Sequence, residues 1–207
     1  MKRLFDVVLS FVGILLLSPI FIVISILIKL DSKGEVIFKQ IRITKNRKEF
    51  KIYKFRTMKV DTEKEGQITI GKDSRITRVG NILRKTKLDE LPQLFNVLEG
   101  SMSFVGPRPE VPKYVNYYTQ DELEILNVRA GITDYASIYF SDESELLGKA
   151  EDPEKYYIDT IMPYKIELNK KYIQNMGIGT DIKIIVLTVL KIMGLIKSKK
   201  INIDEEI

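Results

Sequence analysis

The sequence predicts an α+β domain held at a membrane by an N-terminal helix. Three observations predict it. A charge-free run from Val7 to Ile28 is made mostly of Val, Ile, Leu and Phe. Two segments at 35–43 and 49–57, separated by the polar stretch Thr44-Lys45-Asn46-Arg47-Lys48, read as a pair of strands around a turn. Most of the chain beyond residue 73 carries helical rather than alternating periodicity.

The apolar run is long enough for the roughly 20 residues that a bilayer core demands. It ends at Lys29-Leu30-Asp31 rather than at small residues, which argues against a cleaved signal. Ser18-Pro19 falls near its middle, and a proline there removes one helical hydrogen bond and predicts a break or kink. Basic residues flank both sides: Lys2 and Arg3 before it, Lys29, Lys33, Lys39, Arg42 and Lys45 after it. Basic flanks favour the cytoplasmic side. A re-entrant helix that turns at Ser18-Pro19 and leaves on the entry face satisfies both flanks, whereas a straight span satisfies only the second. Both readings stay open on the sequence, as does a buried core helix. The expected organisation is a membrane helix over 1–30, a cytoplasmic domain over 31–200 and a polar tail over 201–207.

Composition narrows the chemistry. The 207 residues carry a net charge of +5, which calls for an anionic partner such as phosphate, anionic lipid or nucleic acid. There is no histidine and no cysteine, which removes the usual zinc sites, Ser-His triads and Cys-His nucleophiles. Catalysis would have to use carboxylates, Lys, Arg, Tyr, Ser or Thr.

Along the chain, Lys51, Lys54 and Arg56 put positive charge on the second strand, by default a solvated face. Residues 61–73, with Gly66 and Gly71, read as a loop. A short helix begins at Ile76, with Asp73 or Thr77 as its cap, and gathers Arg75, Arg78, Arg84, Lys85 and Lys87. Next comes the stretch Lys87 to Leu98, which reads as one amphipathic helix. Leu88, Leu91, Leu94, Phe95 and Leu98 form its apolar face, and Asp89, Gln93 and Asn96 its polar one. A stiff loop, Ser103-Phe104-Val105-Gly106-Pro107-Arg108-Pro109, comes after it. Further helices are expected over 120–128, from Asp152-Pro153 with an interruption at Pro163 toward Tyr172, and from Thr180-Asp181 onward. The last has apolar Ile182, Ile185, Leu187, Leu190, Ile192 and Met193 among lysines, the pattern of a helix on an anionic membrane surface or of a docked core helix.

The adjacent carboxylates Asp89 and Glu90, flanked by arginines, have the donor types that bind a divalent cation and a diphosphate. An aspartate can also attack phosphorus, with Arg84 and Arg108 stabilising charge on the transferring group. The plainer alternative is that both acids only favour a helix N-terminus.

Ser18-Pro19 in an apolar segment, Lys54-Phe55-Arg56-Thr57-Met58, Arg84, Leu88-Asp89-Glu90-Leu91, Asn96-Val97-Leu98 and Gly106-Pro107-Arg108-Pro109 occur in one order. This combination resembles the bacterial sugar transferase family, the small monotopic phosphoglycosyl transferases, from residue 1 to about residue 190. The resemblance implies an α+β catalytic domain with a re-entrant helix broken at Ser18-Pro19 and amphipathic helices at the interface. It implies transfer of a sugar 1-phosphate from a UDP-sugar to polyprenyl (undecaprenyl) phosphate, releasing UMP, on the cytoplasmic face of the bacterial inner membrane in surface glycan synthesis. By the same resemblance Asp89 is the nucleophile that forms an aspartyl phospho-sugar. Glu90 is its partner, and Mg²⁺ assists at Asp89 and Glu90. Arg84 and Arg108 contact phosphate, and Pro107 and Pro109 border the nucleotide site. One departure stands out. The family often carries Pro-Gly-(Ile/Leu)-Thr-Gly-x-x-Gln late in the domain, where this chain has Ala130-Gly131-Ile132-Thr133-Asp134-Tyr135-Ala136-Ser137. No sugar or uridine contact is carried over there. The upstream spans of the family's larger members have no counterpart, so a minimal catalytic unit is expected, with no nucleic acid as partner. The competing reading is a membrane-anchored basic protein that binds nucleic acid or anionic lipid without catalysis.

Overall fold

A computed structural model describes residues 1–60 and 73–196. The loop expected over 61–73 lies almost wholly outside the described residues, as do Lys197, Lys199, Lys200 and the tail.

Helix α1 runs from Lys2 to Asp31 without interruption, a length of about 45 Å at about 1.5 Å per residue. The expected break at Ser18-Pro19 does not end the helix. Pro19 cannot donate to the Leu15 carbonyl one turn back. The Ser18 hydroxyl donates to that same carbonyl at 2.8 Å instead, so the acceptor stays paired. The helix is not a core element either. Leu4, Leu16, Ile22 and Leu30 are among its many exposed apolar residues, while one narrow stripe (Asp6, Ser10, Ile24 and Ile28) is buried. By length and hydropathy it is able to cross a membrane.

Strands β1 (Ile37–Thr44) and β2 (Lys48–Phe55) form the expected antiparallel hairpin, with Ile37 opposite Phe55 and Thr44 opposite Lys48. The turn between them places Asn46 and Arg47 at φ near 58°. Helix α2 (Arg78–Lys85) is capped by Thr77, whose hydroxyl accepts from the Gly80 amide at 3.0 Å. Asp73, the other candidate cap, pairs with Arg75 instead.

The single amphipathic helix expected from Lys87 to Leu98 is two elements. Lys87 lies in the left-handed region, at φ 56°, and ends α2. One 3₁₀ turn, Leu88–Glu90, comes next, and α3 (Gln93–Glu99) begins after Pro92. Proline lacks the amide that a continuing helix needs, so it sits where a new helix starts. Asp89, Gln93 and Asn96 therefore do not share a helical face. Asn96 is buried and braces the hairpin: its carboxamide accepts from the Tyr53 amide at 2.9 Å and donates to the Lys51 carbonyl at 2.8 Å.

A second, parallel sheet escaped the periodicity. Strand β3 (Met102–Val105) occupies the first half of the expected stiff loop, and β4 (Ala130–Thr133) the segment that departs from the family pattern. Four-residue strands carry too few residues for alternation to register. Between β3 and β4 come α4 (Pro112–Val115) and, in place of a helix over 120–128, 3₁₀ turns over Glu122–Asn127. Helices α5 (Tyr135–Tyr139), α6 (Glu143–Leu147) and α7 (Pro153–Tyr156) are next, the last capped by Asp152. The interruption expected at Pro163 falls earlier, as a π turn over Tyr157–Ile161. Pro163 itself is in the first turn of α8 (Met162–Gln174). Helix α9 spans Ile178–Ile192, starting just ahead of Thr180.

The main core gathers Val111, Tyr114, Leu126, Leu147, Ile161 and Ile166 with Ile43 of β1. A second cluster joins Ile24 and Ile28 of α1 to Phe55 and Leu83. Polar contacts fasten α1 at both ends. Lys2 pairs with Asp181 of α9 at 2.5 Å, and Arg3 donates to the Val97 and Leu98 carbonyls. At the far end Asp31 accepts from the Val79 amide at 3.0 Å, and Arg56 grips Ser32 at 2.6 Å.

Replacing Asn96 by Ala unpairs an amide and a carbonyl of β2. With about 1–3 kcal/mol for each buried group left unsatisfied, we expect a loss of about 2–6 kcal/mol, read as a lower denaturation midpoint.

Candidate active site

The carboxylate pair sits on the Leu88–Glu90 turn, lining a cleft of about 2040 Å³. Glu90 is the anchored member. Its Oε1 accepts from Lys54 Nζ at 3.0 Å and from Arg108 Nη2 at 2.7 Å, and its Oε2 faces Arg108 Nη1 at 3.4 Å. Asp89 is 8% exposed, and its Oδ1 is buried with no hydrogen-bond partner among the described residues. Burial and neighbouring charge drive the two acids apart. Burial raises Glu90, but Arg108 and Lys54 outweigh it and hold the carboxyl well below the usual range. Burial raises Asp89, and the Glu90 charge adds to that, with Lys54 and Arg84 opposing. In return Glu90 raises Arg108, whereas burial lowers Lys54 and Arg84.

Each of these side chains is placed by an identifiable local feature. Lys54 is near the end of β2. Arg84 reaches the site because α2 lies hard against the chain leaving β2: a Cβ at Gly80 would sit 2.1 Å from the Thr57 carbonyl oxygen. Arg84 Nε then donates to Thr57 Oγ1 at 2.9 Å. Arg108 lies beyond β3 on a loop clamped to β4. Gly106 donates to Thr133 O at 3.1 Å, Gly131 donates to Pro107 O at 3.0 Å, and a Cβ at Gly131 would lie 2.2 Å from Gly106 N. The Arg108 amide donates to Asp134 Oδ2 at 3.2 Å.

Of the residues singled out in the sequence, Asp89, Glu90, Arg84 and Arg108 meet in the cleft, and Pro109 lines it. Pro107 is buried against β4 and does not line it; Ser18 and Pro19 are elsewhere, on α1. Gln93 is buried, with its Nε2 unpaired among the described residues. Two site residues escape a reading of the sequence. Lys54 reads there by default as a solvated strand charge, and enters otherwise only within the Lys54-Phe55-Arg56-Thr57-Met58 run of the family resemblance, with no role assigned to it. Asp134 gives no hint, because its role depends on β4 lying beside β3. Arg56, in the same run as Lys54, serves α1 by holding Ser32.

Among the described residues no group of three or more carboxylates, histidines or cysteines converges to hold a metal. The protein can offer the Asp89 carboxylate, since both Glu90 oxygens face cations. One carboxylate plus phosphate oxygens is a donor set that Mg²⁺ accepts.

Fold and site together define a class: an α+β protein with a long apolar helix, whose cleft gathers cations around one tethered and one untethered carboxylate. The chain belongs to the bacterial sugar transferase family, whose model matches residues 1–194. It is 40% identical over 196 residues to the UDP-glucose:undecaprenyl-phosphate glucose-1-phosphate transferase of Escherichia coli K12, covering 92% of this chain and 40% of that protein. It is 37% identical to the UDP-N-acetylgalactosamine-undecaprenyl-phosphate N-acetylgalactosaminephosphotransferase of Aeromonas hydrophila, covering 93% of this chain and 43% of that protein. An uncharacterized sugar transferase, EpsL of Bacillus subtilis, is 35% identical and matched over 87% of its length. The chain thus spans about two fifths of the first two relatives.

The opposed shifts set a pH signature. Glu90 has a lowered folded pKa, so its ion pairs contribute stability above its ordinary value of 4.5, and that contribution is lost as pH falls through the folded value. Asp89, raised above 3.8, has the opposite sign: its contribution is lost as pH rises. Thermal midpoints of the wild type are therefore expected to drop below about pH 4.5, and Glu90→Gln to flatten that drop.

Proposed function

We propose that the protein is a phosphoglycosyl transferase that moves a sugar 1-phosphate from a UDP-sugar to polyprenyl (undecaprenyl) phosphate and releases UMP, the first membrane step of a surface glycan. The observation that carries this is the inequality of the two acids. Glu90 is held by two cations through both oxygens, while Asp89 keeps a buried oxygen without a partner among the described residues. Only the second has the freedom of a nucleophile. A carboxylate whose proton affinity is raised by burial is also the stronger nucleophile once ionised.

Asp89 Oδ1 attacks the phosphorus that bears the sugar, and the phosphoanhydride bond to UMP breaks, with UMP leaving as the anion. A phosphate oxygen of the polyprenyl acceptor then attacks the same phosphorus, and the bond to Asp89 breaks. Arg108 and Arg84 neutralise charge on the transferring group, and Glu90 holds Arg108 in place for it. Mg²⁺, bound through Asp89 and phosphate oxygens, would add charge neutralisation.

The attachment of both ends of α1 to the same domain supports a monotopic arrangement. A straight span would carry Lys2 about 30 Å away from the domain that holds Asp181. With basic flanks on both sides, the cytoplasmic face of the inner membrane is the consistent placement. The cations gather in a concave cleft among carboxylates, which suits a diphosphate better than a nucleic-acid backbone.

Asp89→Asn is expected to lower UMP release at least about 10³-fold and to abolish a sugar-phosphate adduct at residue 89 in mass spectra taken with UDP-sugar alone. An adduct-free but fully active wild type would instead favour direct attack by the acceptor. Since Asp89 must be ionised, the acid limb of kcat/KM should fall above 3.8. The sequence has no native cysteine, so single cysteines at positions 2 and 32 can be labelled cleanly. Both should react from the cytoplasmic side of membrane vesicles, and reaction of position 2 from the opposite side alone would overturn the topology.

A further inference from the structure

Resting on the proposed sugar-phosphate transfer, we infer that the cleft wall formed by Ser137, Ser141 and Glu143 is the subsite for the sugar ring and sets which UDP-sugar the protein accepts. Around Asp89 and Glu90 the cleft is lined by Lys54, Arg84, Lys85, Lys87 and Arg108, cations that suit phosphate. A second wall, from α5 through the start of α6, presents Ser137, Ser141, Asp142, Glu143, Ser144 and Glu145. Carboxylates repel phosphate, and together with hydroxyls they are natural partners for the hydroxyls of a neutral polyol.

Two hydroxyls on this wall lack a partner among the described residues. Ser137 Oγ and Ser141 Oγ are buried without a hydrogen bond, although both residues border the cleft. Buried hydroxyls are ordinarily paired, and an unpaired one calls for an explanation. A ligand hydroxyl in the cleft supplies the missing partner. Glu143 is held by Lys165 Nζ through Oε2 at 2.6 Å, which leaves Oε1 for the ligand. Lys165 in turn lies over the Tyr157 ring, 5.0 Å from its centroid, so the carboxylate is fixed. Phe140, also bordering the cleft here, offers an apolar surface of the kind the C–H face of a pyranose needs.

Position favours the transferred sugar over the ribose of the nucleotide. A continuous path links the wall to the carboxylate pair: Glu90 to Arg108 at 2.7 Å, the Arg108 amide to Asp134 at 3.2 Å, and Asp134 Oδ1 to the Ser137 amide at 2.6 Å. The sugar is bonded through one oxygen to the phosphorus that Asp89 attacks, whereas the ribose lies one phosphate farther away. Glu143 also adds to the field that raises Arg108, which fits a wall close to the reacting centre.

The test measures kcat/KM over a panel of UDP-sugars, and the inhibition constant of UMP, for the wild type and for Ser137→Ala, Ser141→Ala and Glu143→Gln. The expected result is a drop of about tenfold in kcat/KM for the preferred UDP-sugar in at least one variant. The ranking among sugars should change while UMP inhibition stays within about twofold, which also reports a folded site. Active variants with unchanged ranking overturn this assignment alone. UMP inhibition weakening in step with KM overturns it too, by giving the wall to the nucleotide. A wild type that releases no UMP from any UDP-sugar overturns the underlying reading, and this assignment with it.

Discussion

Glu90 receives cations from two distant parts of the chain, Lys54 from the hairpin and Arg108 from the loop after β3. This three-way ion pair is the constraint on which the site depends. Glu90 and Lys54 are largely withdrawn from water and Arg108 is half-buried, so removing Glu90 would leave two neighbouring cations without their shared counter-charge. The pairing also settles how the two neighbouring acids differ. By absorbing both cations, Glu90 stays ionised and immobile, and Asp89 is left with an oxygen that no described residue claims. Two adjacent acids of nearly identical chemistry become different because the fold presents partners to only one.

The remaining architecture holds those partners in place. Close backbone approaches at Gly80 and at Gly106 with Gly131 leave no room for a side chain, and they bring in Arg84 and Arg108 on separate elements. Asp134 extends the scaffold: one oxygen takes the Arg108 amide, the other caps α5 and so aligns the serine wall with the carboxylate pair. A chain of polar contacts thus links Glu90 to the proposed sugar wall.

Helix α1 illustrates how a strongly apolar element can belong to a polar domain. Its buried stripe includes Asp6, which accepts from Ser103 and the Phe104 amide, and Lys2 is tied to Asp181 and Tyr172. These contacts join the helix directly to β3, which leads into the Arg108 loop, and to α9. The exposed face, by contrast, is continuous hydrocarbon without cover from the described residues, the kind of surface a lipid phase would occupy. The apolar face able to meet a membrane and the contacts that shape the site therefore share one element.

Much of this is legible in the residues themselves. The apolar helix, the hairpin, the Thr77 and Asp152 caps and the acid pair with its arginines depend on local spacing, which a sequence displays. Whatever depends on one segment lying beside another is not. The Lys87 to Leu98 stretch reads as one helix because its leucines keep helical spacing across Pro92. Asn96 reads as part of a polar helical face shared with Asp89, because its hairpin partners are remote in sequence. The parallel β3–β4 pair is invisible, since four-residue strands have too little periodicity to read, and with it goes the role of Asp134. The proline at Ser18-Pro19 does not end α1, and the Ser18 hydroxyl takes the Leu15 carbonyl that the missing amide cannot reach. By itself the sequence determined which chemistry was possible: no histidine, no cysteine, two adjacent carboxylates and a long apolar helix. Only the tertiary structure decided which carboxylate is tethered and which is free, because that choice depends on where two distant cations come to rest.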